Sequence, residues 1–278
     1  MPENFALGTM FRCLNEPEKL IETVQQAERA GLDEVWIVED CFWAGGISSV
    51  GVALALTEKI RVGLGIMPAV IRNPALAAME IAALERLYPG RFLPGFGHGV
   101  GAWMKQIGAF PVSQLAALEE VSIVVRRLLA GERVSFEGRH VFLDDVELVF
   151  PPAKAPAVSL GVRGPKSLRL SGRSADGTIL AEHSSVPYVK WAVEEIKAGQ
   201  REAGREGDPH RLTVYTWAVM DDDRDAALNK MRPRIAAGLA SGDLNPHLNP
   251  LGITAEVEKM RAAGGEDLGA VRNDGLRS

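Results

Sequence analysis

Cysteine is almost absent from this sequence: Cys13 and Cys41 are the only two in 278 residues, too few for a disulfide framework. No Cys or His pair stands at zinc-like spacing, so no metal is expected. Blocks of a single charge are missing as well. The 31 basic and 36 acidic residues are interspersed, the formal net charge is −5, and a nucleic-acid partner is not expected. No stretch approaches the roughly 18 uninterrupted apolar residues of a membrane span, so no membrane partner is expected either. The opening MPENFALGTMF carries an acid and lacks the basic start and apolar run of a secretory signal, which leads to the expectation of a cytoplasmic protein. Internal repeats and low-complexity segments are also lacking.

What is present is the composition of an ordinary globular enzyme, 46% apolar and 24% charged. The length is close to the roughly 250 residues that a closed β/α barrel uses as one domain, and one domain over residues 1–278 is expected. Short apolar runs alternate with helical patterns, as parallel strands joined by crossover helices do. The strands read as Phe5–Met10, Val35–Val38, Ile60–Ile66 and Arg91–Phe96. Asn15-Glu16-Pro17 reads as the cap of a first helix, with Leu20, Val24 and Ala27 on one face and Gly31 as its stop. Further helices are predicted over Ser49–Lys59, from Asn73-Pro74 through Leu87, and over Ser113–Leu129.

Residues 133–150 (RVSFEGRHVFLDDVELVF) alternate with a period of two around Glu137-Gly138, which predicts a small antiparallel insertion closed by Pro151-Pro152. The βα alternation then resumes with Ala157–Gly161, a helix from Pro165, Thr178–Ala181, a helix over Pro187–Ala203, and Leu212–Val219. Gly238–Gly252, rich in Asn, Pro and Gly, reads as a loop before a helix over Thr254–Ala263. An eighth strand has only Leu268–Val271 to draw on. The expected fold is therefore α/β, a (β/α)₈ TIM barrel with a small β insertion and a shortened eighth strand.

The succession VWIVEDCFWAGG, RVGLGIMPAVIRNPALAAMEIAALERLYPGRFLPGFGHG, GERVSFEGRHVFLDDVELVFPP and SLGVRGPKSLRLSGRSADGTILAE resembles the luciferase-like monooxygenase superfamily in order and spacing. Within it, GLGIMPAVIRNP is most similar to the branch that uses the deazaflavin coenzyme F420, which includes methylenetetrahydromethanopterin reductase and F420-dependent glucose-6-phosphate dehydrogenase. The resemblance implies an oxidoreductase that moves a hydride between coenzyme F420 and an unidentified small organic substrate, acting as a homodimer. Two alternatives share the scaffold. One is an FMN-dependent luciferase-like monooxygenase using reduced flavin and oxygen; the other is a non-catalytic flavin-binding barrel.

In a barrel the chemistry sits at the C-terminal strand ends. At the end of the third strand, the resemblance implies a bulge whose non-proline cis peptide backs the central cofactor ring. Gly65–Ile66 is the candidate bond, with Met67 beside it. Taken alone, the same segment is only a Gly-rich strand end. Gly161-Val162-Arg163-Gly164-Pro165-Lys166 lies between a strand and its helix. Glycines permit close backbone approach, Pro165 suits the first helical turn, and free N–H groups with the helix dipole favour a phosphate there. The resemblance places the cofactor phosphate at that turn.

After the second strand, the resemblance assigns Asp40 to the cofactor ring, while Cys41 stands where the deazaflavin branch commonly has a histidine. Phe42 and Trp43 suit either an apolar substrate wall or the packing of a loop. At the end of the fourth strand, His98 occupies the position of a glutamate proposed as proton donor in the sugar-phosphate enzyme. A histidine titrating near neutrality suits a general acid, and a purely hydrogen-bonding role toward the cofactor fits equally. Glu182 and His183 follow the sixth strand as substrate contacts or as solvated loop polarity. Asp221-Asp222-Asp223 reads as the cap of a helix beginning near Arg224.

Overall fold

The computed structural model describes residues 5–240 and 244–263. In its first half, strands β1 (Gly8–Phe11), β2 (Glu34–Ile37), β3 (Arg61–Pro68) and β4 (Phe92–Gly97) pair in parallel, each with the next. They are connected by α1 (Lys19–Arg29), α2 (Gly46–Ala55) and α3 (Pro74–Leu87). After β4 come α4 (Gly101–Gln106), a helix the sequence reading does not anticipate, and α5 (Gln114–Leu129). The predicted insertion is an isolated antiparallel pair, β5 (Val134–Glu137) with β6 (Phe142–Val146).

Alternation returns with β7 (Ser159–Gly161), parallel to β4, then α6 (Pro165–Ser174), β8 (Gly177–Leu180), α7 (Val186–Glu202) and β9 (Arg211–Val214). The hydrogen-bonded order is β1-β2-β3-β4-β7-β8-β9. Of the eight expected strands, the short apolar run Leu268–Val271 lies outside the described residues. Among those residues no helix is long and apolar enough to cross a membrane.

Local chemistry accounts for the helix starts. The Asn73 side chain accepts from the Ala75 amide at 2.9 Å, with Pro74 in the first turn, and Ser113 caps α5 by accepting from the Ala116 amide at 3.3 Å. In α1, Leu20, Val24 and Ala27 are the buried face, as their spacing predicts, although the helix begins at Lys19 without a side-chain cap. The Glu120 carboxylate of α5 accepts from the amides of Arg139, His140 and Val141 at 2.8–2.9 Å, which fastens the turn of the β5–β6 hairpin. Burial raises the pKa of this carboxylate, but the three amides and His140 outweigh it and hold it below the usual value.

The chain divides into two compact units. The first takes in Met1–Gly161, Ser174–Thr178 and Pro209–Arg211; the second takes in Val162–Arg173, Ile179–Asp208 and Leu212–Ser278. In the first unit every residue of β2 is buried, as parallel strands covered on both faces require. The buried Glu34 receives Trp36 Nε1 at 3.0 Å and ion-pairs with Arg61 at 2.8 Å and with Arg211. In the second unit α6 and α7 touch backbone to backbone. A Cβ on Gly172 would lie 2.0 Å from the Ile196 carbonyl oxygen, and one on Gly199 would lie 1.9 Å from that of Arg169.

Two expectations are corrected. Residues 238–252 are not a loop throughout. α8 (Arg224–Ala240) reaches Ala240, and α9 (Asn245–Leu248) with a 3-10 turn at Asn249–Leu251 follows before α10 (Thr254–Ala262). The reason is tertiary: Leu239, Leu248 and Val257 pack together, with Ile235, Ile253 and Met260 against them, and this burial offsets the turn-forming bias of Asn and Pro. The seventh strand ends at Val214 rather than Val219. The acidic triplet behaves as expected, since Asp223 accepts from the Asp225 amide at 2.9 Å and Asp221 from the Asp223 amide at 3.0 Å.

Candidate functional site

In the first unit the site begins at β3. Its register against β4 shifts between Leu64, opposite Pro94, and Met67, opposite Phe96, so Gly65 and Ile66 together face the single residue Gly95. The Gly65–Ile66 peptide in this bulge is cis. Met67 is fully buried, whereas Ile66 is half-buried, and its side chain lies over the paired residues Gly97 and Gly161. A Cβ on Gly97 would come within 2.9 Å of Ile66 Cδ1, and one on Gly161 within 2.4 Å of Ile66 Cγ2. The absence of a side chain at Gly161 makes room for Ile66.

At the end of β2, Asp40 is half-buried and accepts from Cys13 Sγ at 3.2 Å, and its backbone carbonyl accepts from the Trp43 amide. Burial, the hydrogen bond to Asp40 and its charge push the Cys13 thiol up to about 11, so this sulfur is held as a neutral donor rather than a nucleophile. Cys41 is likewise raised, by burial and by Glu39 and Asp40. The Cys41–Phe42 peptide is cis. Trp43 packs edge-on against Trp103 of α4 with centroids 5.7 Å apart yet is 51% exposed, and Phe42 is 65% exposed.

An ion pair that the sequence reading missed braces this region. Arg72 donates to both oxygens of the buried Glu39, at 2.7 and 2.6 Å, and the Gly46 amide adds a bond at 2.8 Å. The loop after β2, which carries Asp40, is thereby clamped to the loop after β3. Glu39 and Arg72 both stand in motifs singled out above. Their pairing across 33 positions carries no local signal.

His98 follows Gly97 at the end of β4. Its Nδ1 is buried without a hydrogen-bond partner. Burial lowers its pKa below the ordinary imidazole value, against a smaller opposing effect of the Gln114 backbone. Lowering from the ordinary imidazole value favours the neutral ring over the charged one.

In the second unit the turn carrying Val162, Arg163, Gly164 and Pro165 leads into α6, whose first-turn amides have no intrahelical acceptor. Val162 is buried and its amide donates to the Ile179 carbonyl at 3.3 Å. A Cβ on Gly164 would meet only Ser167 Oγ, at 3.8 Å, and the residue lies outside the left-handed range. Internal packing therefore does not require glycine at this position. The Arg163 carbonyl accepts from Tyr188 Oη at 2.9 Å. Glu182 and His183 are half-buried; burial lowers the His183 pKa, and the nearby Glu182 carboxylate opposes that. Tyr188 and His247 are further members of this neighbourhood that the sequence reading missed. His247 lay in the segment taken for a loop, where no periodicity singles it out.

Comparison with known proteins places these features in context. The profile of the family described as luciferase-like monooxygenase matches residues 6–274. A 5,10-methylenetetrahydromethanopterin reductase of Methanolobus tindarius is 30% identical over 256 residues, spanning 91% of this chain and 77% of that protein. An F420-dependent glucose-6-phosphate dehydrogenase of Nakamurella multipartita is 29% identical over 234 residues, 78% of this chain and 68% of its own length. The solved structure of the coenzyme F420 dependent tetrahydromethanopterin reductase from Methanopyrus kandleri superposes with a TM-score of 0.78 at 26% identity, covering 95% of this chain and 81% of that one.

Proposed function

Because the chain belongs to the luciferase-like monooxygenase family, we propose that it is an oxidoreductase transferring a hydride between coenzyme F420 and a small organic substrate. Relatives named for coenzyme F420 support an enzyme of this kind and favour F420 over FMN. The same reading takes the chain as one barrel domain, working as a cytoplasmic homodimer.

The observation that carries the reading is Gly164. Gly97 and Gly161 are explained by the Ile66 side chain, but Gly164 faces open space at the start of a ten-residue helix. A cradle that a Cβ would partly fill, next to the first-turn amides of α6 and the Arg163 guanidinium, suits a phosphate-bearing cofactor. The residues present fit the group.

In this reading Gly161, Val162, Arg163, Gly164 and Pro165 hold the phosphate, and Gly65, Ile66 and Met67 back the ring system. Asp40, oriented by Cys13 and by the Glu39–Arg72 clamp, contacts the ring edge. His98 is the group that holds or moves a proton, at Nδ1. Phe42, Trp43, Glu182 and His183 contact the substrate. When bound, coenzyme F420 supplies the hydride chemistry itself. The protein supplies orientation, exclusion of water and the proton site.

Titration of the purified protein with coenzyme F420 and separately with FMN, followed by quenching of its five tryptophans, tests the cofactor. Saturable quenching by F420 is expected. Binding of FMN alone would sink the proposal in favour of the flavin monooxygenase, and binding of neither would favour a non-catalytic barrel. Gly164→Val tests the phosphate position. Its side chain enters space the protein leaves open and Val suits a residue before proline, so stability should change little. Affinity for F420 should fall about tenfold or more, about 1.4 kcal/mol or above. Unchanged affinity in the variant would move the phosphate elsewhere.

A further inference from the structure

Among the described residues Tyr188 of α7 is the largest side chain that is fully buried. A phenol taken out of water has to find a partner for its hydroxyl. This one donates to the Arg163 carbonyl at 2.9 Å, 25 positions earlier in the chain and just before α6. Burial holds the phenol above its ordinary pKa against the smaller effect of the Arg163 charge, so the hydroxyl stays a neutral donor.

Several contacts within the second unit fix the phenol. Its amide donates to the capping Ser185 side chain at 3.4 Å. The His247 ring stacks on it with centroids 4.1 Å apart and planes inclined by 15°, and Trp191 lies tilted against it at 5.7 Å. Burial first, and then the charge of Arg163, push His247 down to about 4, with its bond to the His183 backbone opposing them. Both stacked rings are therefore neutral at pH 7. The ring is held where its hydroxyl meets the turn before α6.

That bond has a consequence one atom further along the backbone. The Arg163 carbonyl and the Gly164 N–H belong to one peptide, which is trans, and in a trans peptide these two groups point in opposite directions. Anchoring the carbonyl on Tyr188 thus turns the Gly164 N–H away from the phenol. No group among the described residues accepts it. The next peptide is held as well, since the Gly164 carbonyl accepts from the Leu168 amide at 2.8 Å and from Ser167 Oγ at 3.2 Å. Gly164 is fixed on both sides, with an uncommitted N–H and open space where a side chain would stand.

We propose that Tyr188 is a positioning residue for the cofactor phosphate: its hydroxyl anchors the Arg163 carbonyl and so presents the Gly164 amide as a phosphate donor, a role that rests on the cofactor reading above. The phenol does not touch the phosphate and acts only through the peptide between Arg163 and Gly164. A donor aimed before the ligand arrives needs no ordering on binding, and affinity gains by that saving. Without the hydroxyl the peptide is free to rotate, and the amide loses its aim.

The test titrates coenzyme F420, and separately its phosphate-free deazaflavin nucleoside, into the wild-type chain and Tyr188→Phe, followed by tryptophan quenching. Phenylalanine keeps the ring stack and removes only the hydroxyl. Affinity for F420 is expected to fall about three- to tenfold, the range of one hydrogen bond, while affinity for the nucleoside stays within about twofold. Arg163-Gly164 is the only Arg-Gly pair in the sequence, so isotopic labelling of arginine carbonyl carbons and glycine amide nitrogens isolates the Gly164 amide as one NMR correlation. In the wild-type chain that signal should move on adding F420 and stay still on adding the nucleoside. Equal loss of affinity for both ligands in Tyr188→Phe marks a merely structural role and overturns the proposal, as does an unchanged affinity for F420; either result leaves the cofactor reading standing. A Gly164 signal indifferent to bound F420 also overturns it, and this measurement carries the test if Tyr188→Phe does not fold. Failure of the wild-type chain to bind F420 overturns both.

Discussion

His98→Ala is expected to lower turnover with coenzyme F420 and substrate by about a hundredfold or more, within the range contributed by a positioned acid or base, while F420 affinity changes little. The expectation rests on placement: His98 stands at the end of β4, one residue beyond the Gly97 that packs against Ile66, and its buried Nδ1 lacks a partner. Burial lowers its pKa, so the charged form is scarce at pH 7 and grows as pH falls through a value below the ordinary 6.5. If protonated His98 is the donor, wild-type kcat should rise on acidification through that value, and the variant should lose the inflection. A variant with the wild-type pH–rate profile removes His98 from proton transfer. Stability changes in the opposite direction: an imidazole depressed in the folded state makes the protein less stable as pH falls below 6.5, so His98→Ala should be less acid-sensitive in thermal denaturation.

Glu34→Ala is expected to be the most damaging single change to the fold, at about 3–5 kcal/mol, the usual cost of breaking a buried ion pair from one side. The carboxylate is 3% exposed and holds Trp36 Nε1, Arg61 and Arg211. Its removal leaves a buried indole N–H and two partly exposed guanidinium groups without this acceptor. Denaturant melts should show a lower midpoint with an unchanged slope, and the melting temperature should fall by roughly 10 °C. Glu34→Gln, which keeps an acceptor for Trp36 but no charge, should lie between. A Glu34→Ala loss below about 1 kcal/mol would mean that the arginines find water instead, and that the pair only sets register.

Members of one motif can sit in different surroundings, as Gly161 and Gly164 do. In the sequence Gly161 and Gly164 are equivalent members of one turn. In three dimensions one is packed against Ile66, almost a hundred positions earlier, and the other faces open space. Phe42 and Trp43 are adjacent aromatics, both exposed, of which only Trp43 is braced, by Trp103 of α4.

The sequence by itself determined the alternation of strands and helices, the caps at Asn73 and Ser113, the antiparallel insertion and the family resemblance that singles out Gly65–Ile66. These depend on periodicity and turn chemistry within a few residues, where neighbours along the chain are neighbours in space. Only the tertiary structure decided the clamp of Glu39 on Arg72, the contact of Glu34 with Arg211 across 177 positions, the helical form of much of residues 238–252, and the convergence of His183, His247 and Arg163. Such pairs are selected by burial: a charge or imidazole removed from water takes whatever partner the packed chain brings within reach, and no local pattern records that choice.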